Sequence, residues 1–258
     1  MAPYRLQQVK YLIQEIFVSM KVGLIGSNIW YSKSKEIFES QGIEYKIYDV
    51  SYVEQGLELA IADKLDGFNI TKPFKKDIVK YMDSLMPEAQ RIGTVNCVKI
   101  VNDCFVGENF DGEAFRISLD HYVSNHDDWE FDYPHRMAIL GNGGVVPAIL
   151  TALHDATDLT TSSHEMTVFA RNPKCIDEKS ISEFDAKKFD LIVNTIPFDA
   201  GIDINFNNKS KFIYYDLNYA EPNLLVKKAE RNKHCSWSIN GLDMLERQAE
   251  MSLKWWKE

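Results

Sequence analysis

Apolar and polar positions alternate along this chain in two rhythms, and the rhythms mark out short elements. Lys21–Gly26 (KVGLIG) is a brief apolar run that reads as a buried strand. The stretch SNIWYSKSKEIFESQG after it reads as a helix ending at Gly42, and IEYKIYDV as a second strand. Val53 to Lys64 has helical spacing, and DGFNIT reads as a third strand. Pro87 to Ile92 is a helical turn. TVNCVKIVNDCFVGEN predicts two strands around an Asn102-Asp103 turn, a hairpin, and Asp111 to Tyr122 returns to helix. In the second half, Met137–Leu140 is an apolar strand that runs into glycines and then a helix. EMTVFARNPK is a strand ending at Arg171, and FDLIVNTIP, FIYYDLNY and CSWSI are three more strands. A helix is predicted from Pro222 to Asn232. The tail from Gly241 to Glu258 is a helix with Leu242, Leu245, Ala249, Leu253 and Trp256 on one side.

Two stretches interrupt the alternation. Residues 1–19 carry Leu6, Val9, Leu12, Ile13, Ile16 and Phe17 at helical spacing, and read either as an extension before the domain or as a helix packed on it. Their broken apolar core does not fit a signal peptide. His121 to Pro134, polar and aromatic, reads as a linker. Regular exchange of strand and helix elsewhere predicts an α/β protein with largely parallel sheets.

Composition narrows the function classes. The 258 residues suffice for one large core or two modest ones. A net charge of −9 argues against a nucleic-acid partner, although a few local donors can still bind an anionic ligand. The four cysteines have no CxxC spacing, which suits a reduced, cytoplasmic chain. No apolar run reaches the roughly 20 residues that span a bilayer, so no membrane partner is expected.

Four stretches carry candidate chemistry. Asp66–Lys76 (DGFNITKPFKK) runs from a strand into a turn at Pro73, and gathers Asn69, Thr71, Lys72, Lys75 and Lys76 at a strand's carboxyl end. Open α/β sheets bind ligands at such ends, where a lysine tuned by burial or by a neighbouring charge can exchange a proton. By composition alone, solvated surface lysines are the commoner reading. Ser32 and Ser34 at a helix mouth suit N-capping or an anion, and capping is the commoner role. Gly141, Gly143 and Gly144, between a strand and a helix, suit a phosphate. An arginine ending the next strand, Arg171, accommodates the 2′-phosphate of NADP if the fold is dinucleotide-binding, and is otherwise an exposed strand end.

Taken in order, these residues resemble the shikimate dehydrogenase family from about Lys21 to the end of the chain. The SxS of that family is matched by Ser32 and Ser34, and N-V-T-x-P-H/F-K by Asn69, Ile70, Thr71, Pro73, Phe74 and Lys75. An IGAVNT-like stretch is matched by Ile92, Gly93, Val95 and Asn96, and G-x-N-T-D-G by Gly107, Asn109, Asp111 and Gly112. GAGG is matched by Gly141, Gly143 and Gly144, and the closing D-G-L-x-M-L-x-x-Q-A by Gly241, Leu242, Met244, Leu245, Gln248 and Ala249. The resemblance implies an NADP-dependent oxidoreductase that reversibly reduces 3-dehydroshikimate to shikimate, on the route to chorismate and the aromatic amino acids. It implies a substrate-binding α/β domain over residues 1–122, completed by the helix at 240–258, and a Rossmann domain over 123–239, with the site in the cleft between them. Lys75 would shuttle the proton and Asp111 would orient it. Ser32 and Ser34 would hold the substrate carboxylate, and Thr71, Asn96 and Gln248 the ring hydroxyls. Tyr219 would lie near the substrate, the glycines on the pyrophosphate, Arg171 on the 2′-phosphate, and Gly241 and Met244 by the nicotinamide. The implied partner is a small-molecule substrate, in a monomer or homodimer.

The chain also departs from that pattern. Tyr31 stands where histidine is common, Lys35 where proline follows SxS, and Phe110 where threonine precedes the aspartate. Phe110 beside Asp111 is bulky enough to reshape the pocket. Ala170 precedes Arg171 where asparagine is expected, and Cys175 replaces a second basic residue, although Lys174 is adjacent. These leave open a quinate/shikimate dehydrogenase using NAD or NADP. From another class, a non-catalytic metabolite-binding relative stays open too, although retention of both Lys75 and Asp111 argues against it.

Overall fold

The computed structural model describes residues 20–123, 134–158 and 164–258. The helix expected over residues 1–19 and most of the expected linker lie outside these. In chain order the first region contains β1 (Lys21–Gly26), α1 (Ser34–Ser40), β2 (Glu44–Asp49), α2 (Val53–Ala62) and β3 (Gly67–Ile70). It continues with β4 (Ser84–Leu85), α3 (Pro87–Ile92), β5 (Cys97–Val101), β6 (Cys104–Glu108) and α4 (Asp111–Val123). The second contains β7 (Arg136–Leu140), α5 (Val146–Asp158), β8 (Glu165–Ala170), β9 (Glu178–Ser180) and β10 (Leu191–Asn194). After them come β11 (Phe212–Asp216), α6 (Leu224–Glu230), β12 (Cys235–Asn240) and α7 (Leu242–Lys257).

These strands form two sheets of six, ordered β2-β1-β3-β5-β6-β4 and β12-β11-β10-β7-β8-β9. Central strands are apolar on both faces because helices cover both, so β10 and β11 are buried throughout. The second sheet is parallel at every pairing, and its order outward from β7 is that of a Rossmann fold. The expectation of largely parallel sheets holds in the first sheet too, where the expected hairpin supplies the antiparallel part. There β1 is parallel to β2 and β3, and β4 to β6, while β3–β5 and β5–β6 are antiparallel. The hairpin reverses direction at Asn102 and Asp103, whose positive φ angles of 50° and 64° give the turn that matches strand twist.

Each sheet carries a core on both faces. Ile25, Phe68, Phe74 and Val98 pack on one side of the first sheet, and Leu24, Phe38, Tyr45 and Trp256 on the other. Met137, Ile149, Leu153 and Tyr215 fill one side of the second, and Leu140, Phe169, Ile192 and Tyr214 the other. Six elements escaped the sequence reading: β4, β9 and 3-10 turns over Asp77–Tyr81, Ile181–Glu183, Ala186–Lys188 and Phe198–Ala200. Strands of two or three residues show no period, and exist only because β6 and β8 offer an edge. The buried face of α7 also differs from the apolar stripe expected for it. It is made of Met244, Gln248, Ala249, Ser252, Leu253 and Trp256. Gln248 and Ser252 are drawn inward by polar partners: Ser252 Oγ accepts from Asn69 Nδ2 at 3.0 Å. The Trp256 indole donates to the Val98 carbonyl at 2.9 Å, fixing α7 to the first sheet. Among the described residues, no helix is long and apolar enough to cross a membrane.

Candidate active site

Strand carboxyl ends of both sheets open onto one cleft of about 720 Å³. Every residue singled out above for a site role lines it: Lys75 and Asp111; Ser32, Ser34, Thr71, Asn96, Tyr219 and Gln248; Gly141, Gly143, Gly144, Arg171, Gly241 and Met244. Among the described residues, no group of three His, Cys, Asp or Glu side chains is placed to hold a metal ion.

Lys75 and Asp111 meet at the centre. Pro73 ends β3, and the turn closes through Phe74 N–H donating to the Thr71 carbonyl at 3.0 Å, with Phe74 buried beneath. That leaves Lys75 over the cleft, its carbonyl accepting from Val95 N–H at 2.9 Å. Asp111 opens α4. Its N–H donates to Asn109 Oδ1 at 3.0 Å, and Asn109 is locked in turn by bonds to the Thr94 carbonyl and hydroxyl. Lys75 Nζ stands 2.6 Å from Asp111 Oδ2, with side-chain exposures of 13% and 6%. Asn96 Nδ2 donates to the other carboxylate oxygen at 2.9 Å and reaches Gln248 Oε1 at 3.5 Å, while Asn96 Oδ1 accepts from Phe110 N–H. Both carboxylate oxygens are thus satisfied, as a buried charge requires. An ammonium has three donors, so Lys75 keeps donors for a ligand after pairing with Asp111.

The polar end of the cleft is made by loops after β1 and β11. Lys33 is the N-cap of α1 and makes no side-chain capping bond, but Ser32 Oγ accepts from the N–H of Ser34, the first residue of the helix, at 3.3 Å. Ser32 Oγ also donates to Ser34 Oγ at 3.1 Å, and both residues line the cleft. Tyr219 reaches them from the second sheet's side. Burial raises its phenol above the ordinary value, and the Ser32 hydroxyl beside it partly offsets this. Thr71 is held by its N–H on the Ile25 carbonyl. Asn69 also lines the cleft, but its amide is taken up by Tyr45, Ser252 and the Asn96 carbonyl.

On the opposite wall, the glycine turn links β7 to α5. Gly141 has φ +108°, and a Cβ there would meet Thr195 Oγ1 at 2.4 Å, so a side chain is excluded on both counts. A Cβ on Gly144 would sit 3.1 Å from Lys75 Cβ, so the turn lies directly against the lysine. Asn142 braces the turn by donating to the Asn172 carbonyl and to Glu178 Oε2. Burial tends to raise the Glu178 carboxyl, but bonds from Asn142 and from Lys174 N–H outweigh it and leave it below the usual value. Arg171 is exposed, and among the described residues its one hydrogen bond is a long 3.5 Å bond to the Ala200 carbonyl.

Some cleft residues were not anticipated. Thr195, Phe198 and Asn218 follow β10 and β11. Asp216 Oδ1 accepts from Asn194 and Asn218, and Asn218 Oδ1 accepts from Phe198 N–H, so the two loops are tied together. Their signal was available, since both loops leave the carboxyl ends of parallel strands. Phe110 corrects the expectation of a reshaped pocket. It is absent from the cleft lining and packs edge-on against Trp255, ring centroids 5.9 Å apart.

Comparison with known proteins bears on the family and the fold. Residues 24–98 match the family described as the shikimate dehydrogenase substrate binding domain. A Clostridium botulinum (strain 657 / Type Ba4) protein named shikimate dehydrogenase (NADP(+)) is 30% identical, over 91% of this chain and 95% of its own. Crystal structures of a shikimate dehydrogenase from Aquifex aeolicus (TM-score 0.75, 25% identity) and of shikimate dehydrogenase 1 from Peptoclostridium difficile (0.71, 26%) each cover 92% of both chains. Ordered motifs, a Lys–Asp pair facing a glycine turn, and identity over nearly the whole length lead to one conclusion: the chain belongs to the shikimate dehydrogenase family.

Proposed function

We propose that this protein is an NADP-dependent shikimate dehydrogenase, reversibly reducing 3-dehydroshikimate to shikimate. The observation that carries the reading is the desolvated Lys75–Asp111 pair set against the glycine turn of a Rossmann sheet. Residues 1–122 with 240–258 hold the substrate, and residues 123–239 hold the dinucleotide. The turn at Gly141, Gly143 and Gly144 takes the pyrophosphate at the N-terminus of α5, Arg171 takes the 2′-phosphate, and Gly241 and Met244 border the nicotinamide. When bound, NADPH supplies the hydride.

The chain's own residues handle position and protons. Ser32 and Ser34 donate to the carboxylate of 3-dehydroshikimate, with Tyr219 beside them. Thr71, Asn96 and Gln248 hold the ring hydroxyls, fixing the carbonyl beside Lys75. Lys75 Nζ then gives a proton to the oxygen that becomes the hydroxyl, and takes it back in the reverse direction. Asp111 holds the ammonium in line and balances its charge. The enzyme works in the cytosol, where its four thiols stay reduced, as a monomer or homodimer.

Initial rates of reduced-nicotinamide formation test this, with shikimate or quinate and NADP or NAD in all four combinations. Turnover is expected to be fastest with shikimate and NADP. A preference for quinate or NAD would move the assignment to a quinate/shikimate enzyme, and no turnover by folded protein would overturn it.

A further inference from the structure

Lys72 lines the cleft between Thr71 and the Lys75 turn, and no role has been assigned to it. Its ammonium lies 5.0 Å from the ring centroid of Tyr31, the residue that precedes Ser32. Tyr31 is held from across the cleft by Phe198, edge to face, with centroids 5.2 Å apart at 89°. Below, the Lys72 carbonyl accepts from Ser27 N–H at 3.0 Å, lacing its turn to the loop that carries Tyr31 and the serines. We propose that Lys72 is a second anchor for the substrate's carboxylate, supplying the positive charge that Ser32 and Ser34 lack. The proposal rests on the shikimate reading above.

Charge accounting favours it. The Lys75 charge is already balanced by Asp111 at 2.6 Å. Lys72 pairs with no carboxylate among the described residues. An aromatic face holds an ammonium by its quadrupole without neutralising it, so the charge stays available to an anion. The serine hydroxyls are neutral donors that bond to each other. A carboxylate leaving water for such a site gains more from a charge-assisted bond than from hydroxyls alone. Lys72 is half-buried at the right end of the cleft, on a lysine stem long enough to swing from Tyr31 toward the serines.

The test compares wild type, K72M and K72R with shikimate and with its methyl ester, which has no charge. Calorimetric Kd and steady-state KM are both read. K72M is expected to weaken shikimate about ten-fold, with most of the kinetic loss in KM, and to leave the ester unchanged; K72R recovers most of the loss. Equal effects of K72M on acid and ester, or none on either, would overturn the role of Lys72 while wild-type turnover still stood. A wild type that neither binds nor turns over shikimate would overturn this proposal and the functional reading together.

Discussion

The two walls of the cleft are built to different degrees of completeness. On the first sheet's wall the side chains are bonded to one another in advance: Lys75 to Asp111, Asp111 to Asn96, and Asn96 toward Gln248. On the second sheet's wall the backbone is fixed but the charged group is loose. The glycine turn is braced by Asn142, and the Leu140 carbonyl before it accepts from Thr195 Oγ1, whereas among the described residues Arg171 makes one hydrogen bond, to a carbonyl at 3.5 Å. Under the proposed function, one wall would handle protons and the other would grip a ligand, and the two tasks need different degrees of order. Proton transfer needs its groups aligned within tenths of an ångström beforehand. A phosphate-binding arginine can be left to its ligand, which fixes it on arrival.

Breaking the rigid wall has the largest expected effect. Lys75→Ala should lower kcat about 10²- to 10⁴-fold with the fold intact by circular dichroism, since a positioned general acid contributes on that order. Near-normal turnover would remove Lys75 from the mechanism. Next comes the loose wall: Arg171→Ala should raise the KM for NADP about 10- to 100-fold and that for NAD far less, because one charge-assisted contact to a phosphate is lost. Equal losses would show that Arg171 does not read the 2′-phosphate. A third change sharpens the contrast. Asn96→Ala leaves Asp111 with one bonded oxygen, and should cost about ten-fold in kcat/KM, a hydrogen bond to a charge. Measured beside Asp111→Asn, it should show less than additive losses if the two act as one unit.

The smallest effect lies where the walls are tied outside the cleft. Arg91 on α3 donates twice to Asp155 on α5, one bond being 2.8 Å. The Arg91 hydrogen bond holds the Asp155 carboxyl below its ordinary value. A depressed carboxyl contributes stability that is present above the unfolded-state value and is lost as pH falls through the folded one. Arg91→Met should therefore cost about 0.5 kcal/mol at neutral pH and nothing in strong acid, because the pair is exposed and screened. Urea midpoints at both pH values check this. A loss that persists in acid would assign the effect to packing.

Much of this was written in the residues themselves. Strand and helix order, the Asn102-Asp103 hairpin and the glycine turn depend on local periodicity and backbone preference, so neighbours in sequence decide them. Ser32, Ser34, Thr71, Lys75, the glycine turn and Arg171 stood out as candidates because each follows a strand or opens a helix, whereas Asp111, Asn96, Tyr219, Gly241, Met244 and Gln248 were singled out only through the resemblance to the family. Other features depended on partners far along the chain. No local signal could place β4 or β9, which are too short to exist without an edge to pair with. Phe110, adjacent to Asp111, looked like a pocket residue until α7 brought Trp255 against it. Gln248 and Ser252 broke the apolar stripe expected of α7 because Asn96 and Asn69 wait opposite them. The sequence by itself determined which groups this protein has and which turns present them. Tertiary structure alone decided that Lys75 meets Asp111 and that Gly144 lies against Lys75. Those contacts join segments of chain whose approach is set by the packing of two sheets and not by any local preference.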